Sequence, residues 1–431
     1  MTEGSGPRCY NHHVRPPLPA RWVAICVFIL ASVLNYLDRQ ILATMVDIWR
    51  TRPEFPFTYD DYGLLLSVFS IAYAVSALFA GWFIDRVGLN RGTIAAVAVW
   101  ALASFGTGAS HTVGELLFWR AVLGAAEASA IAAVTKAVAM YLLPPERAVG
   151  QAMSQLGLSL GAGLAPAFAV YFSYRYSWHW AFYSAGILSL AWIPIWLITS
   201  RAIPPVSLPG SGKATHSFGL LRDPRLWALM VANMLGMSLY SLWANWAPTY
   251  LVSVQHLTPQ QASHYTWIVP VSGYFGGLLG GLISWRLILS GRTPIAARKR
   301  ACLISAVLLI GTIVVPLAPN PALATFGMSL SFFWVCSWSV NHYTLPIDIY
   351  GASHAAFGGA ALVFAYGVMQ SIISRPLAAV IERFGFSPVC AVFAVLPIAG
   401  YCLVHFLIRN GSSIDPAPLQ SQITARNHQY L

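Results

Sequence analysis

Charge is what this sequence has least of. Only 9% of its 431 residues are Asp, Glu, Lys or Arg, against 57% hydrophobic, and the mean hydropathy is +0.63. A soluble domain carries about a quarter of its residues as charge. A chain this poor in charge has no means of coating a water-facing surface, so lipid must be its solvent. It also lacks a Gly-rich phosphate loop ending in Lys and Ser/Thr, which excludes ATP-driven work within this chain. The 6 cysteines and 11 histidines fall at no metal-ligand spacing, and most cysteines sit in apolar runs as small hydrophobes. With neither a metal set nor a nucleophile–base constellation, the expectation is a protein that is not an enzyme and needs no cofactor.

What is present is a series of apolar runs of the length, roughly 20 residues, that crosses a bilayer as helix. The expected spans are 22–46, 62–84, 93–110, 114–140, 149–173, 178–199, 225–250, 263–284, 300–318, 321–346, 355–380 and 387–408. The 16 tryptophans and 19 tyrosines suit the interfacial belts of such a protein. An even number of spans puts both termini on one side. With that side cytoplasmic, the outer loops keep only Arg50, Arg52, Arg175 and Arg383, and the remaining loop Lys and Arg fall inside. This is the positive-inside pattern. It accounts for the net charge of +11 and removes nucleic acid as a partner.

The tail 1–20 is polar and proline-rich, so no cleavable signal is expected ahead of the first span. Between 200 and 223 the chain turns to Ile203-Pro204-Pro205, Pro209-Gly210-Ser211-Gly212 and Arg222-Asp223-Pro224, which marks a cytoplasmic linker. It separates a six-helix bundle at 21–199 from a second at 224–408, with a cytoplasmic tail at 409–431. Gly81-Trp82-Phe83-Ile84-Asp85-Arg86 after the second span is echoed by Gly281-Leu282-Ile283-Ser284-Trp285-Arg286 after the eighth. The expected fold is therefore all-α and integral to the membrane, twelve helices in two pseudo-symmetric bundles around a central path. A monomer suffices for it.

An ionisable group inside a membrane must be paired or hydrated, so buried charge is where function is sought. One group lies in the first span, Asn35-Tyr36-Leu37-Asp38-Arg39-Gln40. Another lies in the fourth, where Arg120 and Glu127 are seven residues apart and share a face, separated by roughly 10 Å along the axis. If the two spans face each other, Asp38, Arg39, Arg120 and Glu127 form one cluster. Such a cluster is either a static ion-pair network or a place where an Arg receives an anion while a carboxylate carries a proton. Glu127 is the first candidate for the proton and Asp38 the second.

The second half offers no comparable acid. Its candidates are uncharged: Asn245, Asn341, His342, Tyr366 and Gln370, with Tyr73, Tyr240 and Trp243 able to stack on a ring. Each of these is open to the plainer reading of helix packing or a helix–helix hydrogen bond. Lys136 is read as a snorkelling stem or an inner gate, and Arg375 as facing headgroups or cavity. The loop carrying Gly81, Asp85, Arg86 and Arg91 has the residues for a salt-bridge gate that breaks and reforms.

These stretches resemble the major facilitator superfamily, whose hallmark is that glycine–acid–arginine loop, and within it the anion:cation symporter family with its bacterial hexuronate transporters. The resemblance runs from Arg21 to about Phe406. It rests on Asn35 to Gln40, Ile84 to Gly88, Arg120 with Glu127, Thr135 to Val138 and Pro145 to Arg147. In the second half it rests on Trp246 to Leu251, Tyr265 to Ile268, Ser339 to Asn341 and Leu345 to Asp348. It implies proton-coupled import of a small organic anion by alternating access in a bacterial inner membrane, the substrate being a sugar acid such as glucuronate or galacturonate. The alternatives are an organic-anion exchanger, an importer of another carboxylate (an aldonate or an aromatic acid), and a transporter-like receptor.

By the resemblance, Arg39 and Arg120 bind the carboxylate, Asp38 and Glu127 take the proton, and Tyr73 stands near the site. Asn341, Tyr366 and Gln370 complete the substrate set. Four positions depart from the pattern: Trp285 replaces an acid, Gln155-Leu156-Gly157 stands for Asn-Ser-Gly, Gly351 stands for a proline, and Arg375 is an addition.

Overall fold

The computed structural model describes residues 18–51, 57–142, 147–204, 217–350 and 355–408. Within them all regular structure is helical, and the helices line up as twelve rods. The first six rods are α1 (Leu18–Arg50), α2 (Tyr59–Val87), α3 (Leu89–Gly108), the pair α4 (Val113–Glu127) and α5 (Ser129–Tyr141), α6 (Arg147–Arg175) and α7 (Trp178–Ala202). The second six begin with the pairs α8 (Pro224–Gly236) with α9 (Ser238–Ser253) and α10 (Pro259–Thr266) with α11 (Ile268–Leu289). They continue through α12 (Pro294–Leu309, extended by a 3-10 turn to Leu317), α13 (Pro321–Tyr350), α14 (Ala355–Phe384) and α15 (Ser387–Leu407). Ten of the rods are long and apolar enough to cross a membrane, and α2 and α3 pack among them.

Local chemistry explains two of the interruptions. Just past the α4–α5 break, Ser129 Oγ donates to the Ala126 carbonyl at 2.8 Å, and past the α8–α9 break Ser238 Oγ donates to the Leu235 carbonyl at 2.8 Å. A hydroxyl bonded three residues back competes with the helical ladder and lets the rod bend. The first rod runs past its expected end at 46. Asp47, just beyond that end, is buried and bonded inside the protein.

Within each half, glycines bring helices into backbone contact. On α11, a Cβ at Gly273, Gly276 or Gly280 would lie 2.6 Å from the Phe332 ring, 2.0 Å from the Phe333 carbonyl oxygen or 2.6 Å from the Ser337 carbonyl oxygen of α13. On α6, a Cβ at Gly161 would sit 2.2 Å from the Val33 carbonyl oxygen of α1. Such small-residue seams hold helices together where lipid supplies no hydrophobic drive between them.

The buried core has a telling distribution. At the end of the rods far from the 200–223 linker, one cluster joins both halves, from Ile41 and Trp49 through Trp246 and Tyr250 to Phe386. Toward the linker end the buried clusters separate, one drawn from the first half and two from the second. The two seams between halves also differ. Helices α2 and α14 touch closely, since a Cβ on Gly63 would lie 2.7 Å from the Ser374 carbonyl oxygen and one on Gly367 2.6 Å from Ala74 Cβ. Helices α6 and α11 meet at Gly163 against Trp267 and diverge toward the linker end. There a Cβ on Gly277 would reach only Val340 of its own half, and one on Gly281 would have nothing within 4 Å.

This packing predicts a sharp contrast between two glycines of one helix. Gly276→Leu drives a side chain into the α13 backbone and is expected to cost about 3 kcal/mol, the upper end for overpacking. Gly281→Ala meets open space and should leave stability unchanged. Thermal unfolding in detergent, followed by size-exclusion profile, checks both.

Candidate functional site

Asp38 and Arg39 are neighbours in α1, so their side chains leave the helix about 100° apart and find different partners. Asp38, 1% exposed, accepts a hydrogen bond from Ser104 Oγ of α3. Arg39 turns to α4, where its Nε and Nη2 reach Glu127 Oε2 at 2.9 and 2.8 Å. The guanidinium is boxed by aromatic faces, with Cζ 4.8, 4.9 and 4.7 Å from the ring centres of Tyr36, Phe69 and Tyr73. Arg120, one face-repeat before Glu127, donates through Nη2 to the Arg39 carbonyl at 3.3 Å and lies 5.3 Å over Phe69. Its Nε and Nη1 are buried with no hydrogen-bond partner among the described residues. The same holds for Asp38 Oδ1 and Glu127 Oε1.

The four charges expected to cluster therefore do so, with Asp38, Arg120 and Glu127 buried and Arg39 partly exposed. Two cations and two carboxylates balance when both acids are ionised. One protonated acid leaves a net positive charge and an N–H fork in want of an anion.

Arg39 and Arg120 open into a small cavity of about 60 Å³ together with Tyr73, Tyr366 and Gln370. Tyr36, Gln40, Ser70, Tyr240 and Asn245 line it as well. Through Tyr36, Gln40, Tyr240 and Ala244 this cavity adjoins a larger one of about 790 Å³ between α1, α6, α9, α11 and α13. Its walls are mostly apolar, including Leu158, Ala162, Pro166, Trp243, Val269, Leu278, Phe332 and Val340.

Asn341 does not join this site. Its amide nitrogen is fully buried and donates to the Gly280 and Ser337 carbonyls at 2.9 Å each, tying α13 to α11. His342 is likewise spent on the Leu229 carbonyl at 2.9 Å. Of the expected gate, the side chains at Gly81 and Asp85 lie outside the described residues, while Arg86 and Arg91 are exposed at the linker end. Beside them Lys136 Nζ donates to the Ile84 carbonyl at 3.0 Å. In the second half, Arg298 joins the end of α11 to α13. Its Nη1 donates to Ser284 Oγ at 2.6 Å and its Nε lies 3.4 Å from Asp348 Oδ2.

Sequence reasoning missed the closure at the far end. Thr249 Oγ1 of α9 donates to Asp47 Oδ2 of α1 at 3.0 Å, and Tyr62 Oη of α2 donates to the Asn245 carbonyl at 2.6 Å. Tyr59 and Tyr62 pack edge-on to Trp246 at 5.7 and 4.9 Å. Arg375 grips Asp60 with both ends of its fork, at 2.7 and 2.8 Å. Every one of these contacts joins one half to the other.

Comparison with known proteins agrees with this geometry. The sequence profile described as Major Facilitator Superfamily matches residues 28–374. The chain belongs to the major facilitator superfamily. It is a membrane-embedded transporter of small molecules and not an enzyme. It is 25% identical to the hexuronate transporter of Escherichia coli strain K12, over 92% of this chain and 98% of that protein. It is 24% identical to the D-galactonate transporter of Escherichia coli O6:H1, over 88% and 94%. Its fold matches an inward-facing, occupied crystal structure of a bacterial homologue of the lysosomal transporter Spinster. That match has a TM-score of 0.73 at 16% identity and covers 93% of this chain and 100% of the other.

The far-end pair gives a pH prediction. Asp60 lies in the first turn of α2, outside the apolar stretch, and the hydrogen bond from Arg375 holds its carboxyl below the ordinary carboxylate range. A depressed carboxyl stabilises the closed far end above its unpaired pKa and loses that effect as pH falls through the paired one. The window is therefore below about pH 4. Distances between spin labels at His111 and His256 should hold steady from pH 8 to 5 and lengthen only under stronger acid. Asp60→Asn should shift the open population roughly twofold at neutral pH, the modest size expected of an exposed pair, and the difference from wild type should vanish under strong acid.

Proposed function

We propose that this protein imports a monovalent sugar acid, a hexuronate such as glucuronate or galacturonate, together with a proton, and that it works by alternating access. The observation that carries the reading is the Arg39–Glu127 pair beside Arg120, whose Nε and Nη1 have no hydrogen-bond partner among the described residues, in a cavity between the two halves. The hexuronate and galactonate transporters to which the chain is similar support the substrate class.

The chemistry follows from charge balance. With the substrate carboxylate on Arg120 and Arg39, Glu127 loses its cation and its charge becomes costly in a buried site, so it holds a proton. When the anion leaves, Arg39 and Glu127 pair again and the proton departs. The bond between them in this structure fits the deprotonated stage. Asp38, held by Ser104, is the second proton position. Tyr36, Gln40, Tyr73, Asn245, Tyr366 and Gln370 surround the place where the hydroxyls would lie.

The bundles 21–199 and 224–408 are the moving halves, with the basic linker end cytoplasmic by the positive-inside pattern and the far end facing out. The membrane is then a bacterial inner membrane, and the protein here is open inward and sealed outward. Gly81, Asp85, Arg86 and Arg91 belong to the latch that closes the cytoplasmic side in the opposite state. One chain supplies the whole cavity, so a monomer is sufficient.

One proton with one monovalent anion moves no net charge. The pH difference alone then drives uptake, at roughly 1.4 kcal/mol, or tenfold accumulation, per unit. Uptake of labelled glucuronate and galacturonate into proteoliposomes under an inward proton gradient tests this. Wild type should accumulate about tenfold per pH unit. Glu127→Gln should lose accumulation while keeping anion exchange, and Arg120→Gln should lose both. Accumulation of neither sugar acid by wild type would sink the reading, and uptake needing an anion on the other side would replace symport with exchange.

A further inference from the structure

The two adjoining cavities differ in kind. The small one, about 60 Å³, holds the arginines, the amides and most of the tyrosines, and it has room for a carboxylate and its nearest hydroxyls. The large one, about 790 Å³, falls in the range of roughly 300–1,000 Å³ that encloses drug-sized ligands, far more than a bare hexuronate fills. Its walls are mainly apolar, with Leu158, Trp243, Val269, Leu278, Phe332 and Val340, and Ser159, Thr266, Tyr274 and Ser339 are the polar side chains set among them beyond those shared with the small cavity. Sugar hydroxyls turned toward such walls would exchange most of their hydrogen bonds to water for few partners. An apolar group turned the same way would gain by leaving water. The opening lies where α6 and α11 diverge, so a substituent pointing away from the arginines has somewhere to go.

We infer that this transporter takes glycosides of sugar acids, with the uronate carboxylate on Arg39 and Arg120, the ring hydroxyls among Gln40, Asn245 and Gln370, and an apolar aglycone of at least one ring in the chamber between α6 and α11. The inference rests on the sugar-acid reading above and adds the part of the substrate that the reading leaves unassigned. Tyr36 and Tyr240 border both cavities, which puts the glycosidic oxygen beside them. Tyr240 stacks on Phe332 at 4.9 Å, so the passage between sugar and aglycone is walled by an aromatic pair.

The test is competition against labelled glucuronate uptake by the full-length protein in proteoliposomes. The competitors are glucuronate, methyl β-D-glucuronide, phenyl β-D-glucuronide and phenylacetate. Burying one phenyl ring in an apolar chamber should make the phenyl glucuronide at least about tenfold more potent than glucuronate. The methyl glucuronide should stay near glucuronate, which separates the apolar ring from the blocked anomeric oxygen.

Leu278→Asn and Val340→Asn each place an unpartnered amide on the chamber wall at partly exposed positions. Both should bring the phenyl glucuronide back to the potency of glucuronate while glucuronate uptake persists, and that persistence also reports correct folding. Equal potency of phenyl and methyl glucuronides overturns the inference. So do wall variants that leave the phenyl preference intact, and so does phenylacetate matching the phenyl glucuronide, since the sugar would then be irrelevant.

If glucuronate is not accumulated at all, the transport reading fails first. The chamber is then judged by tryptophan quenching on addition of each compound. Tighter binding of phenyl glucuronide than of the other three sustains it, and no difference ends it.

Discussion

A guanidinium cannot stay in the interior of a membrane protein without an anion, and most of this structure follows from how Arg39 meets that demand. It is paired to Glu127, which is fully buried, and enclosed by three aromatic rings. Removing one partner of a buried pair typically costs about 3–5 kcal/mol. Any event that takes Arg39 from Glu127 must therefore supply another anion to one and a proton to the other. A substrate carboxylate and a proton would do so together. In the proposed symport, coupling would need no long-range signal, because one ion pair is where the two species would exchange.

The mechanics complement that chemistry. Glycine seams such as Gly276 against Phe333 and Gly161 against Val33 hold helices within a half at backbone distance, as the proposed rocking of one half against the other would require. The far-end closure is made differently, from single hydrogen bonds, edge-on rings and an exposed ion pair. Exposed pairs are worth little, and a seal built of several weak contacts can be undone by a ligand of ordinary affinity. The α2–α14 seam, with Gly63 against Ser374, stays close between the halves while α6 and α11 diverge, so a rocking motion would pivot on the first and open at the second.

The distribution of charge was legible in the sequence because membrane burial makes each ionisable residue conspicuous. Asp38, Arg39, Arg120 and Glu127 stood out in apolar runs, and helical spacing put the last two on one face. Partners reached through three-dimensional packing were not legible. Ser104 is one serine among many small residues of α3, and nothing local distinguishes it as the donor to Asp38. Asp47 falls one residue past the expected end of the first span, and its buried contact to Thr249, 202 residues away, is likewise set by packing. Asn341 carried a motif-level signal, yet its amide is consumed by two carbonyls of the α11–α13 seam. Tyr36 and Gln40 lie within the same short stretch as Arg39 and were within reach of a helical-wheel argument, which the charged neighbours overshadowed.

The arginines and acids of the central cavity all come from the first half, and the second half faces them with uncharged groups: Tyr240, Asn245, Tyr366 and Gln370. In the second half the buried cation Lys299 is engaged at the linker end with the His405 and Ile408 carbonyls, away from the cavity. This asymmetry has a mechanical consequence. A carboxylate held by Arg39 and Arg120 alone would bind one bundle and give no reason for the other to move. Hydroxyls that reach Asn245 or Gln370 make the substrate a bridge, and binding then favours the arrangement in which the bundles approach. Under the proposed function, recognition of the acid by one half and of the hydroxyls by the other would make closure conditional on a molecule that carries both.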